Sequence, residues 1–155
     1  MLIFTYGSMM STADLKQRCP TARAVCNARL LDHQLRFNRE SGKREGGVAS
    51  VVHQPNSEVW GVVYDIIPNE IEALDRAEGF KQGRPTEKNC YQRIACVVMP
   101  SGDAQNPLEA QLYQANPQAN PPLPCKKYLQ LLIDGAAAAS LPLSYQRELA
   151  AIQTT

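Results

Sequence analysis

GVASVVHQPNSEVWGVVYDII, residues 47–67, holds two apolar, β-branched runs, GVASVVHQ at 47–54 and EVWGVVYDII at 58–67, on either side of PNS at 55–57. Valine, isoleucine and aromatic side chains suit a pleated, half-buried surface, whereas Pro, Asn and Ser favour turns. The stretch therefore predicts two antiparallel strands joined at 55–57, with Trp60 in the core. Upstream, MLIFTY (1–6) reads as a short buried strand that Gly7 punctuates. A helix follows, with Ser11 as N-cap, Asp14 three residues later and Pro20 as its stop. Residues 22–37 read as extended. NRESGKREGG (38–47) reads as a solvated polar loop, because Glu40 and Glu45 offset Arg39, Lys43 and Arg44 and no aromatics interleave.

Downstream, Asn69 is the expected cap of a short helix that reaches Glu78, and a polar loop, KQGRPTEKNC, occupies 81–90. YQRIACVVMP (91–100) and LEAQLYQA (108–115) alternate as strands, with a turn across 101–107. The prolines of 116–124 exclude regular structure there. KKYLQLLIDGAAAAS then carries a helical pattern to Gly135 or Ser140, and Pro142 opens a last helix. Strands and helices that do not strictly alternate point to an α+β arrangement. With 155 residues and no internal repeat or linker, the expectation is one domain, 1–155.

Sixteen Lys and Arg against fifteen Asp and Glu leave a formal charge of +1, which argues against nucleic acid or an anionic membrane as the partner. The apolar run at the N-terminus is too short for a signal sequence, and no run approaches membrane-spanning length. Five cysteines without C-x-x-C spacing, together with two histidines, fit reduced thiols in the cytoplasm and supply no metal-ligand cluster. No metal and no cofactor are expected. A Cys–His nucleophilic pair is the weaker alternative.

Two places suggest chemistry. The first is ALDRAEGF (73–80), where Glu78 precedes the helix-stopping Gly79. The last helical turn carries the negative end of the dipole, so a carboxylate is unfavourable there. With Ile71 set at 0° and 100° per residue, Leu74 falls at about −60°, Glu78 at about −20° and Asp75 at about +40°. Glu78 is thus the acid nearest the centre of the apolar stripe, with Asp75 at its margin. A functional site leaves such a local conflict, and so does a buried ion pair. The second place is TYGS (5–8): a strand running into glycine presents backbone N–H groups that can hold a carboxylate or an oxyanion. Spacing alone favours an ordinary tight turn. Neither a P-loop nor a G-x-S-x-G elbow is present, which argues against Ser8 as a hydrolytic nucleophile.

TYGS, ARLLDHQLRF, GGVASVV, EVWGVVYDI, ALDRAEGF and LPLSYQREL occur in this order along nearly the whole chain, and together they resemble the γ-glutamylcyclotransferase family. The resemblance implies a small mixed β-barrel with flanking helices. It also implies a cofactor-free enzyme that converts γ-glutamyl amino acids to 5-oxoproline and a free amino acid. It places the catalytic glutamate on Glu78, the substrate loop on Tyr6, Gly7, Ser8 and Met9, and the pocket tyrosines on Tyr91, Tyr113 and Tyr128. Met9 departs from the family's usual asparagine, which removes a side-chain hydrogen bond but not the backbone donors. The implied partner is a small γ-glutamyl substrate, and a homodimer is allowed. The alternatives are an enzyme of the same fold acting on a γ-glutamylamine or another γ-glutamyl amide, and a non-catalytic binding protein. Retention of the acid at 78 argues against the latter.

Overall fold

The computed structural model describes residues 1–103 and 105–155. Five strands close into a barrel in the order β1 (Leu2–Thr5), β3 (Gly46–Asp65), β2 (Arg23–Ser41), β4 (Tyr91–Pro100) and β5 (Leu108–Ala115). Neighbours are antiparallel except β1 and β5, which meet in parallel at Ile3 and Gln111. The mixed barrel implied by the resemblance is therefore the fold. Among the described residues four helices flank it: α1 (Thr12–Lys16), α2 (Pro68–Ala77), α3 (Lys126–Ala138) and α4 (Leu143–Ala150).

The 47–67 stretch folds differently from its expectation. β3 is one continuous strand, and its partner along its length is β2, from Arg23 opposite Asp65 to Ser41 opposite Gly46. Pro55–Ser57 do not reverse the chain. They lie where Leu31 still faces Glu58 and His33 faces His53, so four residues of β3 bulge opposite Asp32. Asp32 and Asn56 both adopt positive φ, and the Asn56 N–H donates to Asp32 Oδ1 at 3.0 Å. Turn-forming residues thus bend a long ribbon, which wraps the barrel, rather than ending a hairpin.

The polar segment 38–47 is likewise mostly strand. β2 continues to Ser41, and only Gly42–Glu45 turn, with the Arg44 N–H donating to Ser41 O at 3.2 Å. α2 begins at Pro68, with Ile67 as its N-cap, instead of being capped by Asn69, because proline's fixed φ suits the first helical position. α1 stops at Lys16, short of Pro20, while Ser11 is its N-cap as expected and accepts from the Asp14 N–H. The turn expected at 101–107 includes Ala104, which lies outside the described residues.

Two packing relations set up the site. Ile71 and Leu74 bury the inner face of α2 in the barrel core, each worth about 1.5–3 kcal/mol by area. α3 lies across a single 3₁₀ turn, Ser8–Met10, that follows β1. Gly135 allows this closeness: a Cβ there would stand 3.2 Å from both Met10 Cβ and the Ser11 nitrogen.

Candidate active site

Glu78 caps the C-terminus of α2 with φ −85° and ψ 3°, and Gly79 follows at φ +64°. The Gly79 N–H donates to Arg76 O at 3.2 Å and the Phe80 N–H to Asp75 O at 2.8 Å, a Schellman ending. An alanine at 79 would be strained at that φ, and its Cβ would lie 2.9 Å from Cys90 Cβ. The loop 81–90 fastens this corner. Arg84 Nη2 donates to Gly79 O at 2.7 Å, and buried Asn89 accepts from Arg84 Nε at 2.6 Å and from the Lys81 N–H at 3.2 Å. The Cys90 N–H adds a bond to Gly79 O at 3.0 Å. The loop therefore holds the residue next to Glu78 in place, a role its polar sequence did not disclose.

Fixed in this way, the Glu78 side chain forms part of the wall of a cavity of about 50 Å³. Tyr6, Gly7, Ser8, Met9, Tyr91, Tyr113 and Tyr128 line the same cavity, so every residue expected at the site converges there from five separate segments. Ala49 of β3, not foreseen, joins them. Ser8, Glu78, Tyr91 and Tyr128 are shared with a larger outer cleft of about 430 Å³.

Glu78 is half-buried, and among the described residues its carboxylate has neither an ion-pair partner nor a hydrogen-bond partner. Burial raises its pKa above the ordinary carboxylate value, and the Arg18 and Arg44 charges pull it partly back. The buried ion pair that could have explained an acid on this face belongs to Asp75. Arg93 Nε donates to Asp75 Oδ1 at 2.9 Å, with the two side chains 14% and 16% exposed. Arg93 also donates to Gln111 and lies over the Phe80 ring at 5.5 Å. Tyr113 Oη donates to the same Asp75 oxygen at 2.6 Å, so the pair aims a cavity tyrosine. Two acids three residues apart on one helix thus have opposite environments.

The four tyrosines differ in what they can offer. Tyr6 Oη donates to Tyr113 O, Tyr91 Oη to Ala49 O at 2.9 Å, and Tyr113 Oη to Asp75. Their protons are committed, so these hydroxyls present lone pairs. Tyr128 Oη instead accepts from the Ala49 N–H at 3.0 Å and keeps its own proton to give. Burial raises the pKa of all four, that of Tyr128 to about 12, so they are neutral phenols near pH 7. Glu78 is the cavity group able to exchange a proton there. Beside it, the backbone N–H groups of Gly7, Ser8 and Met9 donate to no protein acceptor among the described residues, whereas that of Met10 returns to Gly7 O at 3.1 Å.

No three His, Cys, Asp or Glu side chains converge as a metal site among the described residues. All five cysteines are free, and no described helix is long and apolar enough to cross a membrane.

A sequence profile of the AIG2-like family matches residues 58–149. The chain is 34% identical over 156 residues to a γ-glutamylcyclotransferase of Homo sapiens, and the alignment spans 98% of this chain and 78% of that one. It is also 34% identical over 157 residues to the Bos taurus γ-glutamylcyclotransferase, with the same coverage. Among solved structures it superimposes on a γ-glutamyl cyclotransferase with a TM-score of 0.90 and 29% identity, covering 100% of this chain and 89% of that one.

Proposed function

The chain belongs to the AIG2-like family, with the γ-glutamylcyclotransferases, and we propose that it carries out their reaction with Glu78 as the proton shuttle. The reaction is the release of 5-oxoproline and a free amino acid from a γ-glutamyl amino acid, and the fold and the relatives support it over the whole chain. The observation that carries the role of Glu78 is its unpaired, half-buried carboxyl in the wall of a cavity that Gly7, Ser8 and Met9, whose amides donate to no protein acceptor among the described residues, also line.

In a γ-glutamyl amide the substrate's α-amine closes a five-membered ring on its own γ-carbonyl, so no enzyme nucleophile is needed. Holding the two groups together draws on an intramolecular advantage worth up to about 7–11 kcal/mol. The amine has a reference pKa of about 7.7–8.0 and arrives largely as ammonium. The lone pairs of Tyr6, Tyr91 and Tyr113 suit that ammonium, and the carboxylate of Glu78 takes its proton. The amine nitrogen then bonds to the γ-carbon. The carbonyl electrons move onto oxygen, where the amides of Gly7, Ser8 and Met9 can stabilise them. When the carbonyl re-forms, the amide C–N bond breaks and Glu78 returns a proton to the departing nitrogen. The α-nitrogen gives up two protons between ammonium and ring amide, and the leaving nitrogen gains two in becoming ammonium. No net proton is consumed, so one carboxyl that accepts and returns protons suffices. Burial helps by lifting Glu78 towards the pKa of the amine it must deprotonate.

A cytoplasmic location belongs to the same proposal and rests on the five free thiols. The test is a chromatographic assay for 5-oxoproline with γ-glutamyl dipeptides, γ-glutamylamines and glutathione. Release from at least one dipeptide is expected, and no release from any of them would overturn the proposal.

A further inference from the structure

The outer cleft that shares Glu78 with the cavity carries five cationic side chains, Arg18, Arg39, Lys43, Arg44 and Arg76, against two carboxylates, Glu40 and Glu78. The chain as a whole is nearly neutral at +1, so its positive charge is concentrated at this mouth. Among the described residues none of the five forms an ion pair; elsewhere Arg23, Arg29 and Arg93 do, and Arg36, Arg84 and Arg147 do not. Arg18, Arg39 and Arg44 are half-buried. Arg39 spends its donors on Asn116 O at 3.0 Å and Cys90 Sγ at 3.7 Å. Arg44 lies over the Tyr128 ring, 5.7 Å from its centroid, and the Arg18 guanidinium has no hydrogen-bond partner among the described residues. Five cations against two carboxylates in one cleft leave a net repulsion, and a bound anion relieves that cost.

The geometry also says which anion. If the γ-glutamyl group occupies the inner cavity, as the proposed function requires, the leaving moiety extends past Glu78 into this cleft. Arg18 and Arg44, both half-buried, line this cleft together with Glu78, Arg44 stands over Tyr128 of the inner cavity, and neither guanidinium is tied to a protein acceptor as that of Arg39 is. A leaving α-amino acid carries its carboxylate one carbon from that bond; a leaving simple amine carries none. A guanidinium fork matches a carboxylate with two parallel hydrogen bonds. We propose that Arg18 and Arg44 bind the carboxylate of the leaving amino acid and are the residues that select γ-glutamyl amino acids over γ-glutamylamines. The two arginines come from the turn that follows α1 and from the β2–β3 turn.

The inference rests on the cyclotransferase reading, and one substrate pair separates the two. γ-Glutamylalanine and γ-glutamylalaninamide differ only in whether that carboxylate is ionised or a neutral amide. With the wild-type protein, kcat/KM for the acid should exceed that for the amide by about tenfold or more, within the usual worth of a hydrogen bond to a charged group. The ratio should shrink as KCl is raised from 20 to about 500 mM, since partly exposed charges are screened. In Arg18→Gln and in Arg44→Gln the ratio should collapse towards one, chiefly through KM for the acid. In Arg23→Gln, which removes an equal charge outside the cleft, it should stand. Equal kcat/KM for the two substrates in the wild type would overturn the inference whether or not the variants fold. So would variants that slow both substrates by the same factor. Failure to release 5-oxoproline from either substrate, or from any other γ-glutamyl dipeptide, would instead refute the cyclotransferase reading beneath it.

Discussion

Glu78→Gln and Asp75→Asn remove one negative charge each from the same face of α2, yet they should act in opposite ways. At Glu78 no ion pair and no protein hydrogen bond is lost. What disappears is a desolvated charge at the negative end of a helix, an unfavourable placement worth about 0.3–1 kcal/mol from the dipole alone. The fields of Arg18 and Arg44 offset part of this, but the net direction of the pKa shift says that burial dominates. The amide should therefore be as stable as the wild type at pH 7, or more stable by up to about 1 kcal/mol. Catalysis should nevertheless fall by at least about 10²-fold in kcat/KM, because the group that moves the proton is gone. At Asp75 the change leaves Arg93 without its counter-charge at a site where both side chains are largely buried. Breaking such a pair costs about 3–5 kcal/mol, and an asparagine oxygen that still accepts from Arg93 or Tyr113 should keep the loss near the lower figure. Urea midpoints and 5-oxoproline release, measured on both variants, decide the matter. An active Glu78→Gln protein, or one destabilised by several kcal/mol, would refute the reasoning; so would an Asp75→Asn protein of unchanged stability.

The acid limb of kcat/KM against pH should lie above the usual carboxylate range of about 4.3 and should vanish in Glu78→Gln; a limb at the ordinary value would contradict the raised pKa. The same shift fixes a sign for stability. The folded state holds the Glu78 proton more tightly, so its contribution is full below about pH 4.3 and is lost as pH rises through the folded value. The stability gain of Glu78→Gln should accordingly vanish in acid, as chemical denaturation at several pH values would reveal. Tyr128→Phe strips the buried Ala49 N–H of its acceptor and should cost about 1–3 kcal/mol while raising KM more than it lowers kcat, to be read from steady-state kinetics beside a melt. Tyr113→Phe should likewise act mainly on KM, and a large loss of kcat at unchanged KM in both variants would remove the tyrosines from substrate binding. EDTA should leave activity unchanged, and activity lost to the chelator and restored by a divalent ion would refute metal independence.

Local chemistry was legible wherever the deciding contacts lie within a turn or two of the chain. β1 stops at Thr5, just ahead of Gly7; Ser11 caps α1; α2 ends against Gly79; and Glu78 stands out as misplaced, because strand period, capping and dipole are all short-range effects. The motifs scattered along the chain were enough to indicate the barrel and the residues that line its cavity. Pairing was not legible in the same way. GVASVVHQ and EVWGVVYDII have the composition of a hairpin, yet both pair with β2, because one long ribbon satisfies more backbone groups and buries more apolar surface than two short strands around Pro55–Ser57. The helical wheel put Asp75 and Glu78 within about 60° of each other, but only the arrival of Arg93 from β4 and Tyr113 from β5 makes one a structural anchor and leaves the other free. The same holds for Arg39 and Arg44. In sequence Glu40 and Glu45 balance them, and in the barrel the end of β2 and the turn into β3 bring them to the mouth of the site without an ion pair among the described residues. A charge's partner is chosen by distance in space, and that distance is set only when strands far apart in the chain have closed on one another.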